Sequence, residues 1–355
     1  MTFYEAMQLG ANSLKPMIRD TKDKKLRRKY ILAFIIKDFL CILFCMLIVV
    51  SFSRIFGIDN SIVGVVTVVL LLTFRFSNLD FNVKQSTLTL FGIFMIYAVS
   101  PYIASISNPL IGSIINFISI MTIIILSCHN VQLSNQSTLV LSYLLLYGYE
   151  VNDFKGYINR VFGLILGGII VAGIFYYKQR KNKVENTFST IIKDISLSDN
   201  RTKWQIKLAL GICSAVLIGE LLNLPRTIWI GFACMSILQP TPAKLEFRYK
   251  ARQIYVVLGS IIFGIVYLIL PEGFRGYVGM IGGLMVGVSA TYEWQTVFNC
   301  FGALIAAIPL LGLGGAIIMR IINTIFGAVY TKIFDKVFDK VYDMIFHDTI
   351  VDEVV

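Results

Sequence analysis

Long apolar stretches alternate with short polar ones along almost the whole chain. Most of the apolar stretches approach or reach the roughly 17–25 residues that cross a bilayer as a helix. Backbone amides in hydrocarbon have no water to bond, and the alternation of a membrane barrel is absent, so these stretches predict helices. The predicted spans are residues 31–53, 58–74, 86–104, 109–127, 133–149, 157–177, 204–222, 226–239, 253–270, 275–291, 296–312 and 316–331.

Two pairs of similar segments indicate that the second six spans repeat the first six. Residues 77–84 read SNLDFNVK and residues 243–250 read AKLEFRYK, while INRVFGLILGG at 158–168 is echoed by IMRIINTIFGA at 318–328. Internal repeats are common in transporters, where the working site lies between the halves. The predicted fold is therefore an all-α polytopic membrane protein with about twelve transmembrane helices, arranged as two tandem parallel six-helix repeats.

The polar stretches divide the chain into five predicted parts. We expect a basic N-terminal segment (1–30), a first membrane repeat (31–177), a linker with a short helix near 186–195 (178–203), a second membrane repeat (204–331) and an amphipathic tail (332–355). The tail alternates apolar pairs with Lys and Asp, which predicts a helix lying on the inner membrane surface, with packing against another copy as the alternative.

The basic residues predict the orientation. With the N-terminus placed in the cytoplasm, 25 of the 32 Lys and Arg fall in inner segments, as the positive-inside rule requires. Both termini are then cytoplasmic, and we expect the chain in the cell membrane. This topology also accounts for most of the +11 net charge, so the predicted partners are membrane lipids and not nucleic acid.

Composition changes this picture little. The chain is 56% hydrophobic and only 15% charged, which excludes a soluble domain with a large core. Five of the six cysteines lie inside predicted spans and one lies at a span end, where buried thiols are expected rather than disulfides or metal ligands. No His, Asp, Glu or Cys cluster has the spacing of a metal or catalytic site, so we expect no cofactor, no metal and no enzyme activity.

The stretch from 223 to 264 carries the most specific motif. A short apolar span opens with Leu224-Pro225, contains Trp229 and ends in Gln239-Pro240, and it is followed by Arg248, Arg252 and Gly259. This motif resembles that of the FUSC family, the fusaric acid resistance and aromatic acid exporter group. Further similarities lie at Arg320 with Asn323-Thr324 and Gly327, and at Arg160 with Gly163 and Gly167.

The resemblance implies a twelve-helix exporter of organic, often aromatic, carboxylic acids, working by secondary transport. A plant branch, the aluminium-activated malate transporters, implies the alternative of an anion channel, and a membrane assembly protein is a further alternative. The first half departs from the family motif because it lacks the Trp and the Gln-Pro. A symmetric site is therefore not expected. Substrate identity, coupling ion and a homo-oligomeric state stay open.

The candidate site residues follow from charge inside spans and from the short second span of each half. Arg160 and Arg320 lie a few residues into spans, where an ionisable group is a functional hypothesis by default, with snorkelling to head groups as the alternative. Trp229 is predicted to stack on an aromatic substrate or to sit in the interfacial aromatic belt. Glu220 is a candidate proton carrier, with an interfacial position as the alternative. The remaining candidates are Arg226 and Gln239 for substrate, and Arg248, Lys250 and Arg252 for a cytoplasmic basic turn.

Overall fold

The structure is a computed structural model that describes residues 1–151 and 153–346. Within that part the chain forms sixteen α-helices and no strand, so the all-helical prediction is confirmed. The first eight helices are α1 (Phe3–Gln8), α2 (Ala11–Asp20), α3 (Lys24–Phe56), α4 (Ser61–Phe74), α5 (Val83–Ile106), α6 (Pro109–Ser127), α7 (Gln136–Gly148) and α8 (Phe154–Gln179). The others are α9 (Phe188–Lys193), α10 (Asn200–Leu221), α11 (Ile228–Ile237), α12 (Pro242–Ile269), α13 (Glu272–Arg275), α14 (Val278–Val288), α15 (Tyr292–Ile305) and α16 (Ile308–Phe346).

Every predicted span overlaps a helix, but the helices differ in length. Seven are long and apolar enough to cross a membrane: α3, α5, α6, α8, α10, α12 and α16. The chain is therefore a multi-pass membrane protein. The other five predicted spans coincide with α4, α7, α11, α14 and α15, which are 10 to 14 residues long. A helix rises about 1.5 Å per residue, so these are too short to cross about 30 Å of hydrocarbon alone, and the count of twelve stays a prediction.

The chain divides into two compact units. The first contains Met1–Leu47 and Lys250–Ile325, and the second contains Ile48–Tyr249 together with the chain from Phe326 onwards. This division does not follow the two predicted halves, because each unit draws on both. The tandem arrangement of repeats 31–177 and 204–331 stays a prediction.

The second unit is built around α7. The two short helices α4 and α11 both pack against α7. Helix α6 packs against α7 and also against α10. Helix α8 packs against α4 and α5. Tyr97, Leu139 and Tyr143 are almost fully buried there. Burial of their side chains stabilises the packing of α7 against its neighbours.

In the first unit the N-terminal segment is largely helical. Residues 1–30, predicted only as a basic segment, contain α1 and α2 and the start of α3. Thr2 and Glu5 form a capping box on α1. Leu14, Tyr30 and Phe34 are buried in one apolar cluster, which holds these helices together.

The two copies of the proposed repeat motif differ in local structure. Residues 77–82 form a loop in which Leu79 and Phe81 are buried and Asp80 has a φ of 64°. Asn82 caps α5 by accepting hydrogen bonds from the amides at its start. In the other copy Pro242 already begins α12, because proline suits the first position of a helix. The expected basic turn at Arg248, Lys250 and Arg252 is therefore wrong in its shape, since all three lie in that helix.

The linker and the tail are both helical in part. The predicted short linker helix is confirmed as α9. The tail is not a separate surface helix. The only break in α16 is at Gly312, where φ is 67°, and the helix then continues without interruption to Phe346. Residues 347–355 of the predicted tail lie outside the described residues.

Candidate functional site

Arg160 is the centre of the candidate site. It lies in the second turn of α8 and is only 5% exposed. Its Nε donates to Asn60 Oδ1 at 3.0 Å, its Nη1 to the carbonyl of Tyr149 at 2.5 Å, and its Nη2 to the carbonyl of Asp59 at 3.3 Å. All three acceptors are neutral, and within the described residues no carboxylate lies within 4.0 Å of the guanidinium. The positive charge of Arg160 is therefore buried without an ion-pair partner among the described residues, which is costly in a membrane.

The local sequence explains how Arg160 is held. Gly57 has a φ of 96°, a conformation that favours glycine, and this turns the chain from α3 into a single 3-10 turn, Ile58–Asn60. Asn60 then points its amide at α8, where Nδ2 donates to the carbonyl of Gly156 at 3.0 Å while Oδ1 accepts from Arg160. Asn60 is 1% exposed, so this is a buried polar clamp.

Arg226 approaches the same point from the loop before α11. Its Nη1 donates to the carbonyl of Gly148 at 3.3 Å, and its Cζ lies 5.3 Å from the centroid of the Tyr149 ring, within the range of a cation–π interaction. Arg226 has a φ of 57°, and Asn223 a φ of 52°. Positive φ at an arginine is strained, and such strain is concentrated at functional sites.

A carboxylate contacts the residue just before Gly148. The Tyr147 hydroxyl donates to Glu220 Oε1 at 2.6 Å. Glu220 is the penultimate residue of α10. The structure therefore brings three of the sequence candidates, Arg160, Arg226 and Glu220, onto three consecutive residues, 147–149.

The residues at the other end of α11 bind backbone. Gln239 Nε2 and Arg248 Nη1 both donate to the carbonyl of Ser236 at 3.2 Å, and Trp204 Nε1 donates to the carbonyl of Leu238 at 3.2 Å. The last carbonyls of a helix have no partner within it, so these side chains stabilise the end of a ten-residue helix. These contacts serve structure, and a substrate role for Gln239 stays a prediction.

Trp229 lies inside the second unit. It is 3% exposed and sits on α11, all of whose residues are buried. A belt residue exposes part of its ring to the membrane interface, so the belt interpretation is not supported. Stacking on a substrate stays a prediction.

Arg320 belongs to the first unit and is described there by itself. It lies in α16, is 3% exposed, and has the Cys300 thiol and the cationic Arg252 among its neighbours. Its surroundings thus differ from the neutral carbonyls around Arg160, although the sequence placed the two at equivalent repeat positions. Lys250 and Arg252 follow Arg248 along α12.

Three residues of the site were missed from sequence: Asn60, Tyr147 and Tyr149. Asn60 stands just before the short apolar run of α4, and the two tyrosines flank Gly148 at the end of another short run. These residues could have been found from the rule that broken or shortened spans mark a binding cavity. It was applied to α4 and α11 but not to the interrupted fifth span.

The comparisons with known proteins agree with the motif analysis. Residues 213–334, about a third of the chain, match the sequence profile of the family described as fusaric acid resistance protein-like. The FUSC resemblance is therefore confirmed over that stretch. No curated protein and no solved structure shows significant similarity to the chain.

Proposed function

From a chain whose second half is FUSC-like and whose helices are apolar enough to cross a bilayer, we propose a secondary transporter that exports small aromatic acid anions across the cell membrane. Arg160 carries this proposal, as a buried guanidinium in an apolar helix whose hydrogen bonds all go to neutral groups. A charge at such depth costs about 2.5–3.5 kcal/mol on insertion scales, so it is kept for a purpose.

The chemistry at the outer end of α7 suits an aromatic acid. Arg226 is only partly buried, which supports a role in which it meets an incoming carboxylate before Arg160 does. The partly buried Tyr149 ring, next to the Arg226 guanidinium, adds an aromatic surface on which a substrate ring would stack. Tyr157, one turn before Arg160 on α8, stacks on Tyr102 with centroids 3.8 Å apart, which adds aromatic surface nearby.

The test is transport by the full chain reconstituted in vesicles. Under an imposed pH gradient we expect 4-hydroxybenzoate or fusarate to accumulate, with malate weaker because it lacks an aromatic ring. Accumulation against a gradient identifies a carrier, whereas flux that follows voltage and only dissipates gradients identifies the anion channel of the alternative interpretation. If no organic acid moves in either direction, the proposal is wrong.

Variants test the site itself. A hydrogen bond to a charged group contributes about 1.5–3 kcal/mol, so Arg160→Gln should weaken substrate affinity by about tenfold to a hundredfold. Because Arg160 also holds Asn60 and the loop at Tyr149, Arg226→Gln serves as a second variant in a more exposed position. The matched control is Arg54→Gln, the same change at an exposed arginine of α3. Unchanged affinity in both site variants would remove these arginines from the site.

A further inference from the structure

Glu220 is oriented toward protein and not toward lipid. Its Oε1 accepts a hydrogen bond of 2.6 Å from the Tyr147 hydroxyl, and Tyr147 is 8% exposed. Within the described residues, no Lys, Arg or His nitrogen lies within 4.0 Å of the carboxylate. An acid in a membrane-embedded helix without an ion-pair partner marks an ion or proton pathway more often than a structural contact.

The groups that face Glu220 come from three elements. From α7 comes the Tyr147 phenol, and just beyond that helix lies Glu150, a second carboxylate. On its own helix Cys213 lies two turns earlier. The polar contacts continue inward through Asn116 on α6, which interacts with Tyr147 and accepts a 2.8 Å hydrogen bond from Tyr143. Glu220 is thus the outer member of a buried chain of hydroxyl and amide groups.

The same short segment joins this acid to the candidate anion site. Tyr147 contacts Glu220, the next carbonyl (Gly148) accepts from Arg226, and the carbonyl after it (Tyr149) accepts from Arg160. Glu220 and both arginines thus contact three consecutive residues of one segment. Coupling between two ligands requires an element on which both act, and residues 147–149 are the segment that the acid and both arginines share.

We infer that Glu220, with Tyr147 as its hydrogen-bond donor, binds the proton whose inward movement drives export of the anion held by Arg160 and Arg226. The inference rests on the proposed function and deepens it by naming the coupling ion and its carrier. The proton enters from the outer solution, converts the carboxylate to the acid, and leaves on the cytoplasmic side. No covalent bond other than O–H forms or breaks.

Two vesicle assays on the same preparation separate coupling from transport. The first measures 4-hydroxybenzoate accumulation driven by a pH gradient, and the second measures exchange of labelled for unlabelled 4-hydroxybenzoate with no gradient. Exchange needs only the anion site, so Glu220→Gln should keep it while losing accumulation by at least about tenfold. Glu220→Asp should recover part of the accumulation. Exchange without loss of accumulation in Glu220→Gln overturns the inference and leaves the proposed function intact.

A third measurement does not depend on any substrate. Infrared difference spectra of the purified full chain, recorded as the pH is taken through neutrality, should show a carboxyl band that Glu220→Gln removes and Tyr147→Phe shifts. The control Glu272→Gln changes an exposed glutamate of α13 and should leave that band unchanged. If the Glu220 carboxyl does not titrate in this range, the inference is wrong, whatever the transport assays show.

Discussion

The end of α16 is held to α10 by a short network of ion pairs, and Asp339 is its centre. Lys207 Nζ lies 2.7 Å from Asp339 Oδ2 and 2.8 Å from Asp335 Oδ1, while Lys203 Nζ lies 3.1 Å from Asp339 Oδ1 and 2.6 Å from Asp343 Oδ1. Asp339→Asn removes one charge partner from each lysine and leaves the other in place. The perturbation is therefore confined to two ion pairs.

The expected magnitude follows from exposure. The Lys207 and Asp339 side chains are 13% and 40% exposed, so water screens part of the attraction. Pairs of this kind contribute about 0.2–1 kcal/mol each, and the loss of two should lower local stability by about 0.5–2 kcal/mol. The aromatic ladder on the same helix is untouched and should keep the helix folded: Tyr330, Phe334, Phe338, Tyr342 and Phe346 follow one another at 4.5 to 5.7 Å between centroids.

Hydrogen exchange is the assay, because it reports local opening. A loss of about 1 kcal/mol should speed exchange of the amides of residues 332–346 about fivefold, with the rest of the chain unchanged. Raising the salt concentration should reduce the difference between wild type and variant, since salt screens partly exposed pairs. The control is Asp20→Asn, whose pair with Arg19 is 67–80% exposed. If Asp339→Asn exchanges no faster than that control, the ion pairs do not hold the tail.

Two further predictions concern stability. Gly327→Ala should destabilise the protein by about 1–3 kcal/mol, because a Cβ there would lie 2.8 Å from the Ile230 carbonyl oxygen. The control is Gly173→Ala, where a Cβ would have no neighbour within 4 Å. In a thermal melt this control should be neutral or stabilising. Burial, and then the charge of Arg201, lower the pKa of His129, so the folded state binds its proton less readily than the unfolded state. Stability should fall as the pH drops below about 6.5, and His129→Asn should flatten that dependence.

Helix positions could be predicted from sequence because the hydrophobic pattern is set by the bilayer. Every predicted span overlaps a helix, and α6 matches its predicted bounds of 109–127. Helix continuity was harder to predict. The Lys and Asp residues after 331 indicated a separate surface helix, yet those aspartates pair with lysines on α10, which are remote in sequence. Ion pairs between distant segments leave no periodic signal.

Among the site residues, charge within a span was an informative signal and motif similarity was less so. Arg160 and Glu220 were selected because ionisable groups are costly in a membrane, and in the structure both contact residues at the C-terminal end of α7. Gln239 and Arg248 were selected for their match to the family motif, and both donate hydrogen bonds to a carbonyl near the end of α11. A recurrent motif can thus reflect helix capping as well as substrate binding.

The starts of the two short helices explain why one half alone would not make this site. Asn60 lies just before α4 and Arg226 just before α11, so each precedes one of the two short helices that the sequence predicted as second spans. Both helices pack on α7, and residues at both starts are linked to Tyr149. Asn60 is linked through Arg160, which hydrogen-bonds both Asn60 and the Tyr149 carbonyl. Arg226 is linked through its cation–π contact with the Tyr149 ring. The first half supplies a neutral amide where the second supplies a cation. The candidate site is therefore asymmetric, because Arg160 is buried and held by neutral groups while Arg226 is only partly buried.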